Sequence, residues 1–178
     1  MLGRGHAERL VPMIAALPGK GKAERIAVAL GPGSFTGVRI GLATARALEL
    51  AWGAPALGYP TLAILAAMAL AEHGPQPVTS CITGGHGQWF TQTFDASGQA
   101  TSLLSSLEPA EAVARTSSAL VVGSQSQALV DRRGHGTALV IWPDARAFAL
   151  LDPAHLQPAT KPLYGRAPDA RLPGGGRA

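Results

Sequence analysis

Gly31-Pro-Gly-Ser-Phe-Thr-Gly-Val-Arg-Ile-Gly41 decides how the rest of the chain is read. Arg25-Ile-Ala-Val-Ala-Leu30 stands before it, an aliphatic and β-branched run that predicts a buried strand. Leu42 to Trp52 follows it as an apolar helix. Glycines at 31, 33 and 37 let the backbone turn sharply and come close to a neighbour, and Pro32 fixes one torsion and removes a donor. The expected unit is strand, glycine-rich turn, helix.

Two chemistries compete for this turn. A phosphate cradle uses consecutive free N–H groups at a helix N-terminus, which Ser34, Phe35, Thr36 and Gly37 can supply. The Walker A pattern nevertheless fails, because five residues separate Gly31 from Gly37 and Val38-Arg39 follows where Lys-Ser/Thr is required. Gly-x-Gly-x-x-Gly fails too, since Thr36 stands at its third glycine. The other chemistry is packing: Gly37, Gly41 and Ala45 recur every four residues, so a bare helix face lets another helix come near, with Ser34 or Thr36 as N-cap. The residues favour packing and leave nucleotide binding open.

Outward from the turn, Gly53 and Pro55 stop the helix. Ala56 to Tyr59 predicts a strand, and Pro60-Thr61 opens a helix to His73 closed by Gly74 and Pro75. Val78 to Ile82 and Gln88 to Phe94 predict two strands about the glycine hairpin Thr83-Gly-Gly-His-Gly87. Ser105 to Ala114 reads as a helix opened by a Ser105/Glu108 capping box. Ala119 to Val122 is a buried strand, and Gly123-Ser-Gln-Ser126 turns into a short helix through Leu129 and Val130. Ala138 to Trp142 is a further strand stopped by Pro143, and Asp144 caps Ala145 to Leu151. Strand and helix alternate, so the class is α/β. The tail from Leu156 is expected to lie extended over the surface, anchored by Leu163 and Tyr164, with the last residues from Pro173 disordered.

Composition narrows the function. The 178 residues are 47% hydrophobic and 15% charged, enough for a real core in one domain or two joined lobes. Net charge is +4, from fifteen basic and eleven acidic residues. The basic residues are scattered, with Lys20, Lys22 and Arg25 in one loop, Arg132 and Arg133 in another, and Arg166, Arg171 and Arg177 near the end. No basic helix or aromatic-interleaved patch forms, so solvated surface charge is favoured over direct nucleic-acid binding. Cys81 is alone in an apolar run, a buried small hydrophobe rather than a nucleophile. His86 reads as a surface loop residue, and the five histidines have no metal-ligand spacing. Asp95, Asp131, Asp144, Asp152 and Asp169 fall in loops or caps, whereas a phosphotransferase of this class needs acids on core strands to hold Mg²⁺. Neither a catalytic residue nor a metal site is assigned. Leu62 to Ala71 is too short an apolar stretch to span a bilayer, and no secretory signal opens the chain, so a cytoplasmic protein without a membrane partner is expected.

Gly31 to Arg46 resembles the signature of the TsaB (YeaZ) family, which helps to make threonylcarbamoyladenosine in tRNA. His6-Ala-Glu-Arg-Leu-Val-Pro-Met-Ile14 resembles the first helix of that family, and Pro162-Leu-Tyr-Gly-Arg-Ala-Pro-Asp-Ala170 its C-terminal motif. The resemblance implies an actin-like, ribonuclease-H-like (ASKHA) α/β fold. It divides the chain into an N-terminal lobe remnant over 1–74, a second α/β lobe over 75–165 and a flexible tail over 166–178. It also implies a non-catalytic subunit that docks on the catalytic subunit TsaD through its first two helices and keeps it competent. The modified adenosine lies beside anticodons that read codons beginning with A. The interface carried over is Leu10, Met13 and Ile14 from the first helix, and Gly37, Val38, Gly41, Leu42 and Ala45 from the second. The signature loop is Gly31, Pro32, Gly33, Ser34, Phe35, Thr36, Gly37 and Arg39. ATP and a metal ion then belong to the partners, TsaD and the ATPase TsaE, with tRNA met only through the complex and a homodimer as a further association. The alternative function is a stand-alone nucleotide or small-molecule enzyme using the loop from Gly31 to Gly37.

Three departures from the family pattern stand out. Thr83-Gly-Gly85 replaces an Asp-Ala-Arg-like stretch, and Gly123-Ser-Gln125 replaces a second glycine turn. The family's opening hairpin, with an Asp-Thr-Ser-like motif on its first strand, has no counterpart before His6. The expectation is a chain that begins in mid-fold, lacking the first strands of its N-terminal lobe, with the strand at 25 to 30 left as an open edge prone to self-association.

Overall fold

The structure, a computed structural model, describes residues 6–159 and 161–165. The expectations for residues 1–5 and for the chain from 166 onward, including Arg166, Asp169, Arg171 and Arg177, lie outside the described residues.

Two sheets form the molecule. The first is a strand–helix–strand unit: β1 (Ile26–Ala29), α2 (Phe35–Trp52) and β2 (Ala56–Tyr59), preceded by α1 (His6–Ala15). β1 and β2 are parallel, with Ile26 opposite Ala56 and Ala29 opposite Tyr59. The second sheet holds five strands in the order β5-β4-β3-β6-β7. Its members are β3 (Val78–Thr83), β4 (Trp89–Phe94), β5 (Ser105–Leu107), β6 (Leu120–Val122) and β7 (Thr137–Leu139). β3 and β4 form the antiparallel hairpin expected from the glycines at 84, 85 and 87, while β6 runs parallel to β3. β8 (Gln157–Pro158) returns to the first sheet and pairs antiparallel with β2, so residues 157–158 pack with the N-terminal strands.

The core sits on both faces of the second sheet. α3 (Thr61–His73) is apolar around its circumference from Leu62 to Ala71, which suits a helix buried over its first turns, and only its last turn, Ala71 to His73, is exposed. It buries Leu62, Ile64 and Leu65 against Val78, Ile82, Phe94, Leu120 and Val122, and the 3₁₀ helix Ala145–Leu150 covers it from outside with Phe148. On the opposite face, Cys81, Trp89, Leu107 and Val121 pack with Ala112 of α4 (Pro109–Arg115) and Leu129 of α5 (Ser126–Arg133). Val122 and Val121 point to opposite faces, as the two-residue period of a strand requires.

Several expectations are corrected. The second helix begins at Phe35 rather than Leu42, because Ser34 caps it directly, so Thr36, Gly37, Arg39 and Gly41 are helical. β1 is not buried throughout: Ala27 is exposed, and among the described residues only β2 pairs with β1. Ser105 does not open a helix. It is the first residue of β5, opposite Thr91, and its hydroxyl donates to the Leu103 carbonyl. Glu108 occupies the N-cap of α4 without a side-chain cap bond. β7 ends at Leu139, leaving Val140 and Trp142 exposed beyond the ladder. Asp131 lies within α5 rather than in a loop. Asp144 does cap the segment after it, accepting from the Arg146 N–H, but that segment is a 3₁₀ helix.

Candidate functional site

The signature turn is occupied by the other end of the chain. Gly31 has φ +98°, a conformation L side chains rarely adopt, and the Leu163 carbonyl lies 2.9 Å from where a Cβ would stand. The Leu30 carbonyl accepts from the Leu163 N–H at 2.7 Å, and the Gly31 carbonyl accepts from the Thr61 N–H at 2.8 Å. Gly31 and Pro32 are buried, Gly33 and Ser34 exposed. At the helix start the Ser34 hydroxyl accepts from Gly37 N–H at 3.4 Å, a long cap bond. Gly31 therefore serves a close backbone approach, and what approaches it is the chain's own Leu163.

Arg39 and Phe35 carry the joint outward. The Arg39 guanidinium lies 3.7 Å above the Phe35 ring centroid and donates through Nε to the Tyr164 hydroxyl at 3.0 Å. Tyr164 stacks on Phe35 with centroids 5.7 Å apart. Two turns further along α2, Arg46 Nε donates to the Ala159 carbonyl at 3.2 Å, and the Ala159 N–H donates to Ala56. Leu163 and Tyr164 were legible as anchors, but Phe35, Arg39 and Arg46 as their seat were not, because nothing local in sequence links positions so far apart.

The residues expected to form a docking surface divide into two groups. Met13 is 55% exposed, while Leu10 and Ile14 are half-buried; Val11 on the other flank of the helix and Leu17 just beyond its end are 57% and 56% exposed. Gly37, Val38 and Gly41 are half-buried. Leu42 and Ala45 are only 5% and 4% exposed, in a core with Leu30, Ala56 and Ala159. A Cβ on Gly41 would sit 3.6 Å from Val28 of β1. The neighbour that the small-residue spacing admits at Gly41 is thus the chain's own strand.

Around the second glycine turn, Thr83 is tied to the loop after β6. Its N–H donates to the Ser124 hydroxyl at 3.1 Å, and Gln125 Nε2 donates to Thr83 Oγ1 at 2.8 Å. His86 is exposed. Cys81 is buried next to this loop, and burial pushes its thiol up to about 12, so it stays protonated and unreactive at neutral pH. A surface cavity of about 300 Å³ lies between α3 and the turn at Ala96 to Gly98, and polar groups at its rim are engaged. His155 Nε2 pairs with the Gly98 carbonyl and Asp152 accepts from Gln99 Nε2, both at 2.8 Å. Among the described residues no strand carries an Asp or Glu, and no three His, Cys, Asp or Glu side chains group as metal ligands. No helix among them is long and apolar enough to cross a membrane.

Comparison with known proteins gives the chain relatives. A family model described as TsaD, tRNA N6-adenosine threonylcarbamoyltransferase, matches residues 1–133. The tRNA threonylcarbamoyladenosine biosynthesis protein TsaB of Escherichia coli is 34% identical over 102 residues, 53% of this chain and 44% of that protein. The chain thus spans less than half the length of that curated relative. A crystal structure from Pseudomonas aeruginosa, of a protein with similarity to peptidase YEAZ, superposes with a TM-score of 0.76 at 29% identity, covering 93% of this chain and 86% of the other. YeaZ from Pseudomonas aeruginosa superposes at 0.70 with 26% identity, covering 89% and 84%. The fold is accordingly the α/β, actin-like ASKHA type.

Proposed function

From the premise that the chain belongs to the TsaD-type tRNA N6-adenosine threonylcarbamoyltransferase family, with the TsaB (YeaZ) proteins as its relatives, we propose that it is a non-catalytic subunit that binds and activates a TsaD-type partner. The observation that carries this reading is the apolar surface of α1, where Val11 and Met13, on either flank of the half-buried Leu10 and Ile14, keep more than half their surface in water, as does Leu17 just beyond the helix. A helix whose apolar surface lies open is the pattern of a helical docking face. α2 packs against α1, with Phe35 and Arg39 exposed on it, whereas Leu42 and Ala45 are buried in the core with Leu30, Ala56 and Ala159.

In this reading Mg²⁺ and ATP belong to the partners, and a TsaE-type ATPase joins through the complex. The tRNA is then met by the assembly. The competing nucleotide reading of Gly31 to Gly37 loses ground because Leu163 sits on that turn.

The test is co-purification with the TsaD-type protein of the same organism. The unmodified chain is expected to be retained, and Met13→Glu with Leu17→Glu to lower affinity at least tenfold, since truncation of a buried anchor is commonly worth more than 1 kcal/mol. Both positions are exposed, so the variant keeps its fold. Retention of the charged variant at full affinity sinks the proposal.

A further inference from the structure

We infer that residues 157–159 and 161–165 are a splint that fixes the N-terminal half of α2, with Tyr164 as a positioning residue for that helix, which packs against the docking helix α1. Its structural content stands alone, and its use in partner binding rests on the docking role proposed above.

That half of α2 is intrinsically weak. Gly37 and Gly41 fall within its first two turns, and each glycine in a helix interior costs about 1 kcal/mol relative to alanine. The first turn of any helix leaves its N–H groups without intrahelical partners, and here the side-chain cap is the long Ser34 bond. Left alone, such an end frays.

The strap meets that weakness. Phe35, Arg39, Leu42 and Arg46 recur at intervals of four, three and four, so they share one face of α2. Arg46 holds the Ala159 carbonyl, Leu42 packs in one core with Ala159 and Leu163, and Arg39 and Phe35 hold Tyr164. The strap therefore runs antiparallel to the helix. Five extended residues reach about 16 Å and seven helical residues rise about 10 Å, so one short segment spans both arginine grips. Beyond Tyr164, Gly165 lies so close to the Phe90 ring of β4 that a Cβ would collide with it, which ties the strap's end to the second sheet. The two most distinctive motifs, at opposite ends of the chain, are halves of one intramolecular joint.

Hydrogen–deuterium exchange of the full chain tests this. Tyr164→Ala, at a 44% exposed site, is expected to raise exchange several-fold in the amides of α2 from residue 37 to 42 and to leave β3 and β6 unchanged. Tyr164→Phe keeps the stack and loses only the hydroxyl acceptor, so its exchange falls between the two. Equal α2 exchange in Tyr164→Ala and the unmodified chain overturns the splint. Affinity for the TsaD-type partner is then measured on the same proteins. Several-fold weaker binding by Tyr164→Ala, restored in part by Tyr164→Phe, supports the positioning role, and unchanged affinity with a loosened α2 overturns it. If the unmodified chain does not bind at all, the docking role fails, while the exchange result still decides the splint.

Discussion

The turn at Gly31 to Ser34 and the hairpin loop at Thr83 to Gly87 are built from the same residue type and end in different states. Gly31 and Pro32 are buried beneath Leu163, whereas Thr83, Gly85, His86 and Gly87 face solvent. The hairpin closes on its own backbone, Gly84 N–H to Gln88 carbonyl at 2.7 Å and Gln88 N–H to Gly85 carbonyl at 3.1 Å. The first turn is completed only when the far end of the chain arrives. A glycine-rich loop is thus a site for whatever approaches it most closely, and at Gly31 that is the protein's own carbonyl.

Replacing Gly31 sharpens this contrast most. Gly31→Ala puts an L residue at φ +98°, worth about 1–2 kcal/mol, and pushes a Cβ against the Leu163 carbonyl, an overpacking of about 1–3 kcal/mol. A loss of about 3 kcal/mol is expected in urea unfolding, as a lower midpoint at constant slope. A loss under 1 kcal/mol breaks the comparison, because the strap then yields freely. Leu163→Ala keeps the backbone bond to Leu30 and removes a half-buried side chain, so about 1–2 kcal/mol is expected by the same measurement. Gly87→Ala meets nothing within 4 Å and has only its φ of +79° against it, giving about 1 kcal/mol. Should Gly87→Ala rival Gly31→Ala, torsion rather than contact governs both turns.

Legibility in the sequence follows the distance to whatever completes each element. β2 and α3 match their expected spans, because caps and breakers such as Pro60, Gly74 and Pro75 stand next to them. The Ser34 cap was readable for the same reason, and so was burial of Cys81 from its apolar neighbours. Ser105 misled because a capping pattern and a short edge strand use the same residues, and the pairing with Thr91 that chose the strand is not local. The small-residue spacing at Gly41 and Ala45 pointed to a second helix, and at Gly41 the neighbour is instead the strand β1, since a bare face admits either partner and spacing alone does not choose between them. The grip of Arg39 and Arg46 on the strap was invisible, since no periodicity links residue 39 to residue 164.

A third turn, Asp95 to Gln99, closes on its own side chain and gives the smallest effect. Asp95 Oδ1 accepts from the Ser97 hydroxyl at 2.6 Å, the Ser97 N–H at 2.9 Å and the Gln99 N–H at 3.0 Å. The Ser97 hydroxyl first, then the Gln99 N–H, hold this carboxyl below its ordinary range. A depressed folded-state value adds stability that is present above the unfolded carboxylate value of about 3.9 and is lost as pH falls through the folded one. Asp144, held down by its bonds to Arg146, titrates in the same direction and window. Unfolding midpoints taken from pH 6 down to pH 3 should therefore fall for the unmodified chain and fall less steeply for Asp95→Asn, with the remaining slope shared by Asp144. The carboxyl is exposed to solvent, so the difference is slight at neutral pH, and it should leave the exchange of α2 untouched. An acid slope identical in Asp95→Asn and the unmodified chain would mean that the turn holds its shape through backbone bonds alone, Gly98 N–H to Asp95 and Asp95 N–H to Gln99, as the hairpin at Gly84 does.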